Sequence, residues 1–96
     1  MALTKAQARS GQVAVSDSTP TSLGSLPDGH PCFLTGISVR NPVANTGIIY
    51  VGNSTVSTTT GYAIEPGYDV MLSVTDPKQV YAIAAVNNER LHWIGT

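Results

Sequence analysis

Between Asn45 and Val74 the chain reads NTGIIYVGNSTVSTTTGYAIEPGYDVMLSV, short apolar runs separated by Ser/Thr, Gly and Pro. IIYVG predicts a strand whose unbroken apolar run is buried on both faces. GNSTVSTTTG reads as a loop or loosely paired hairpin, because β-branched Thr tolerates extended backbone while its hydroxyl tolerates water. YAI and DVMLSV read as two further strands, and Pro66-Gly67 between them suits the central pair of a type II turn. Upstream, GQVAV alternates around Val13 and Val15 and predicts a first strand, broken between Asp17 and Pro20. PDGHP, from Pro27 to Pro31, is a dense turn signal. CFLTGISVRN predicts a longer strand whose period shifts at Gly36, the pattern of a β-bulge there. Downstream, TDPK is a turn, QVYAIAAV a strand, and NNE joins it to the terminal strand RLHWIG.

About seven short strands at this spacing place the chain in the all-β class, as one antiparallel β-sandwich or barrel. The 96 residues suit one small domain, here 12–96. Residues 1–11, MALTKAQARSG, hold the one stretch of helix-forming composition. It is too short for a stable isolated helix and is expected to be a flexible N-terminal arm, either ordering against a neighbouring subunit or a frayed terminus without a role. No h-region follows it, so it does not read as a secretory signal.

Charge narrows the function. Charged residues make up 11% of the chain against roughly 25% in an average soluble domain. Five basic and six acidic side chains give a net charge of -1 without any Lys/Arg cluster, so the electrostatic footprint of nucleic-acid binding is missing. No apolar run approaches the ~20 residues of a membrane span. Cys32 is the sole cysteine, which suits a reducing compartment, and is expected to be a small buried core thiol.

The pattern holds little catalytic chemistry. His30 and His92 lie far apart without Cys, Asp or Glu at metal-ligand spacing, so neither a metal nor another cofactor is expected. His30 is read as solvated in its turn and His92 as facing outward from the terminal strand. No Gly-x-Ser-x-Gly elbow or phosphate loop occurs. Glu65 and Asp69 flank the Pro-Gly turn, where carboxylates accept backbone hydrogen bonds. Asn53-Ser54-Thr55 matches a glycosylation acceptor, read as coincidence without a secretory signal. With one Phe and one Trp, the Tyr bodies are expected in the core or an interface, and Tyr68, after the turn glycine, is expected to project. The chain reads as one that associates rather than as an enzyme.

One resemblance adds to this reading. The order Asn45-Thr46-Gly47, the strand with Tyr50-Val51-Gly52, the Ser/Thr loop, Gly61-Tyr62, Glu65-Pro66-Gly67, Asp76-Pro77, Val80-Tyr81-Ala82-Ile83 and the terminal Trp93 resembles small virion proteins of tailed bacteriophages. It covers about half the chain. The resemblance implies a β-sandwich made in the host cytoplasm and incorporated in the virion as a capsid decoration or cement protein. Its partner would be the major capsid protein or another virion protein, and by analogy with decoration proteins it would be a homotrimer. Low charge on so small an apolar domain independently favours a homo-oligomer. The arm, through Leu3, Lys5 and Arg9, is the expected capsid contact, and the 53–60 loop the distal tip, with Asn53, Thr58, Thr59 and Tyr68 exposed. The alternatives are a tail, connector or head-fibre module, and a receptor- or glycan-binding module using Tyr62, Tyr68 and the Ser/Thr loop.

Overall fold

Inward-facing apolar residues at every second position build two antiparallel four-stranded sheets, seen in a computed structural model that describes residues 8–26 and 29–96. In chain order the strands are β1 (Arg9–Val15), β2 (Thr21–Ser22), β3 (Ile37–Arg40), β4 (Ile49–Gly52), β5 (Tyr62–Ile64), β6 (Asp69–Leu72), β7 (Tyr81–Ala84) and β8 (Glu89–Gly95). One sheet has the order β1-β8-β3-β6 and the other β2-β7-β4-β5. This is the strand order of a jelly roll, a double-sheet sandwich made of two Greek keys. The expected choice between sandwich and barrel is thus settled as a sandwich, with eight strands among the described residues.

The alternation is clearest in β8, where Leu91, Trp93 and Gly95 are buried while Arg90 and Ile94 are exposed. Ile37 and Val39 of β3 face them within the core, with Ile49 and Val51 of β4 supplying the opposite layer. Two glycines make room for the large rings. A Cβ on Gly11 would lie 2.9 Å from the Trp93 indole, and one on Gly95 would overlap the Phe33 ring. Phe33 and Trp93 pack with centroids 6.1 Å apart, so the sole Phe and sole Trp form one aromatic unit above those glycines.

Several expectations are corrected. The first strand starts at Arg9, paired with Gly95, so residues 9–11 belong to the sandwich and not to an arm. Leu3 and Lys5 lie outside the described residues. The strand expected over CFLTGISVRN is confined to Ile37–Arg40. Gly36 has φ +147 and sits against the Leu72 carbonyl, while the N–H groups of Thr35 and Gly36 both turn to the Thr96 carbonyl, so the ladder begins only at Ile37. Cys32 is exposed rather than buried, because the neighbouring Phe33 takes the inward position. No tyrosine is buried in the core, since Tyr50 and Tyr81 are half-buried and Tyr62 exposed, while Tyr68 is exposed as expected.

The topology gives the sandwich two distinct ends. Loops 16–20, 41–48, 65–68 and 85–88 gather at one end, and segments 23–26, 29–36, 53–61 and 73–80 at the other. The Pro66-Gly67 turn forms as expected, with Gly67 at φ +90 and the Tyr68 N–H donating to the Glu65 carbonyl at 3.0 Å.

Candidate functional site

The end that carries Tyr68 is held by polar side chains. Asn41 is the one fully buried polar residue among those described. Its Nδ2 donates to the carbonyls of Gly47 at 3.0 Å and Ile64 at 2.7 Å, and its Oδ1 accepts from Asn45 Nδ2 at 2.7 Å. The Asn41 backbone bonds Tyr68 and Gly67, so one residue ties β3 to β5, to the β3–β4 loop and to the β5–β6 turn. Glu89 Oε1 accepts from the backbone N–H groups of Thr46 and Gly47 at 2.9 and 2.7 Å, closing the same loop from β8. On this framework Val43, Tyr68 and Val86 stand exposed.

The Ser/Thr loop at the opposite end is also ordered by its own side chains. Asn53 Oδ1 accepts from the Thr55 N–H and hydroxyl, and Ser57 Oγ is shared among Thr59 and Thr60 groups. Val56 is buried under this loop and packs against Gly52 and Gly61. Asn53, Thr58 and Thr59 are exposed.

The structure separates residues that the sequence reading grouped. Tyr62 adjoins the Ser/Thr loop, whereas Tyr68 lies at the far end beyond β5, so the two tyrosines and the loop do not form one binding face. Arg9 shares a row across its sheet with Gly95, Ile37 and Leu72, and Leu72 lines the same cleft as Asn53. The 53–60 loop is therefore at the end where β1 begins, not distal to it. The distal end is the one carrying Tyr68.

Two concave features stand out. A cleft of about 530 Å³ opens between the edge strands β5 and β6, lined mainly by Val51, Val70, Leu72, Val74 and Val80, with Tyr62, Asn53 and Gln79 at its mouth. A shallower hollow of about 240 Å³ lies on the outer face of the β1-β8-β3-β6 sheet, among Ser38, Arg40, Asp69, His92 and Ile94. His92 sits on that outer face, opposite Gln12 and Arg40. His30 is half-buried rather than solvated, its Nδ1 2.7 Å from the Pro31 carbonyl and its ring edge-on to Phe33. Among the described residues no three His, Cys, Asp or Glu side chains gather as a metal site, and no helix is long and apolar enough to cross a membrane.

The chain was compared with protein-family profiles, curated proteins and solved structures, and none of the three gives a match.

Proposed function

We propose that this chain is a structural protein of a tailed-bacteriophage virion, most specifically a decoration protein that seats on the outside of the head and reinforces it without turnover. The observation that carries this reading is the jelly-roll strand order, the architecture of viral capsid domains. Lectins and cupins share that architecture, so fold alone does not choose among them. The sequence resemblance between Asn45 and Val74 supports the virion, and those residues form β4, the ordered Ser/Thr loop, β5 and β6. Stabilisation by such a protein comes from burying surface at many repeated sites, where multivalency multiplies a modest single-site affinity. In this reading the end at which β1 begins faces the shell, and Tyr68 with its neighbouring loops faces outward.

Co-sedimentation of the purified protein with capsids assembled without it tests the proposal. Saturable binding at hundreds of copies per particle and a raised capsid melting temperature are expected. A handful of copies would move the chain to a tail, connector or vertex, and no binding to any virion component would overturn the reading.

The cleft at Tyr62 favours a second reading, a receptor- or glycan-binding module. Tyr62 offers an exposed aromatic face beside the Asn53 and Gln79 amides, a combination that binds sugar rings. Carbohydrate titration against the protein and its Tyr62→Ala variant tests it, and no binding by the unaltered protein removes it.

A further inference from the structure

The two sheets differ in what covers their outer faces. On the β2-β7-β4-β5 sheet, Tyr50 and Ile83 pair on the outer side, and Gly61, where the Ser/Thr loop enters β5, lies against Tyr50. Ile83 is buried there although it points away from the core. The outer face of the other sheet presents two rows of mostly exposed side chains across its strands. One row runs Gln12, His92, Arg40, Asp69, and the next runs Ser10, Ile94, Ser38, Met71.

These rows are self-complementary. Arg40 and Asp69 are register partners on β3 and β6, and both line the hollow on this face. Beside them the short side chain of Ser38 leaves a hollow, and Met71, 59% exposed, stands next to it as a knob. A two-fold axis running along the strands between β3 and β6 would set Arg40 of each copy against Asp69 of the other. The same operation would place each Met71 over the opposite Ser38, with Ile94 at the rim. A contact of this kind is isologous, each group being used twice. Methionine suits the knob, since its unbranched thioether fills irregular hollows.

We infer that two copies of this chain pack face to face through the outer surfaces of β3 and β6, with Met71 in the Ser38 hollow and Arg40–Asp69 pairs crossing the interface. The occupant of this surface is a second copy because the charge pattern complements itself. The contact is two-fold, in place of the trimer expected by analogy, and it does not depend on the virion reading.

Sedimentation velocity and light scattering from micromolar to millimolar protein test the inference. The 10.0 kDa chain is expected to form a species of twice that mass. Met71→Asp should give a monomer. Arg40→Asp and Asp69→Arg should each weaken association by about 10-fold or more, as close interfacial charge pairs do. The double variant Arg40→Asp/Asp69→Arg should restore association to within about 3-fold of the unaltered chain, a recovery that general damage to folding would not produce. A monomer at every concentration, a stable trimer, or a dimer indifferent to all four variants would overturn the inference. Since the isolated protein suffices, its failure is separable from failure to bind capsids.

Discussion

Replacing Asn41 with alanine removes the polar hub of the sandwich while leaving the backbone free to keep its bonds. The Asn41 N–H still donates to the Tyr68 carbonyl and its carbonyl still accepts from Gly67, so the change isolates the side chain. Three hydrogen bonds are lost, at 2.7, 2.7 and 3.0 Å, and the Ile64 carbonyl is stripped of this partner in a buried setting. At about 1 kcal/mol net per bond, with a further penalty for any buried group left unpaired, the loss is roughly 3–5 kcal/mol. Such a loss is a large share of the ~5–15 kcal/mol that holds a domain of this kind. The melting temperature should fall by at least about 12 °C, since each kcal/mol shifts it by roughly 4–8 °C at this size. Urea titration followed by fluorescence of Trp93, the sole and buried tryptophan, measures the change directly.

Asn41→Asp separates hydrogen bonding from shape. Aspartate matches the size of asparagine but, once ionised, turns a second oxygen toward the Gly47 and Ile64 carbonyls in a buried site. Its folded pKa should therefore rise above the ordinary ~3.9 of aspartate. The sign follows from proton binding. With the folded pKa raised, the folded state holds the proton more tightly, so this variant loses stability relative to the unaltered chain as pH rises from ~4 toward neutrality. A loss below about 1 kcal/mol for Asn41→Ala, or an Asn41→Asp variant whose deficit does not change with pH, would refute the assignment of Asn41 as the hub.

Three further outcomes are expected. Gly95→Ala should destabilise the fold by about 1–3 kcal/mol through overlap with the Phe33 ring, and Phe33→Leu in the same chain should recover part of that loss, seen as a non-additive urea double-mutant cycle. Gly67→Ala and Gly36→Ala should differ sharply although both glycines have positive φ: the first meets Val43 only at ordinary contact distance and should cost about 1–2 kcal/mol, whereas the second meets the Leu72 carbonyl and should prevent folding as judged by NMR dispersion. Cys32 should react fully with an aromatic disulfide reagent in the native protein, and Cys32→Ser should alter stability by less than about 0.5 kcal/mol in thermal melts.

Local pattern carried the all-β class and most strand positions, because alternation reports which side of a sheet a residue occupies. Val13 and Val15, the Tyr62–Ile64 strand and the Pro66-Gly67 turn were legible on that basis. The two-residue β2 is too short for alternation to register, and the late start, at Ile37, of the strand expected from Cys32 to Asn41 depends on Gly36 meeting Leu72, far along the chain. Asn41 looks in sequence like an ordinary residue of a Gly/Pro/Asn connection. Only the convergence of Gly47, Ile64 and Asn45 upon it shows why an amide belongs there. The jelly-roll order was also hidden, since β4–β5 is the one ladder between consecutive strands and all other pairs are non-local. Non-locality also explains why Tyr62 and Tyr68, six positions apart, seemed to share a face that the crossing of β5 divides.

The same crossing pattern bears on how a chain with so few charges stays well defined. A jelly roll brings every second loop to one end, and here that end is fastened by the amides of Asn41 and Asn45 and the carboxylate of Glu89, while the Ser/Thr loop at the other end satisfies its own backbone. Polar side chains are thus spent on loops, where backbone groups outside the ladders require partners. On the β2-β7-β4-β5 sheet the outward Ile83 is buried, but on the β1-β8-β3-β6 sheet Met71 and Ile94 are exposed on its outer face. An exposed Met71 and Ile94 beside Arg40 and Asp69 form the patch that is the physical ground of the proposed face-to-face pairing.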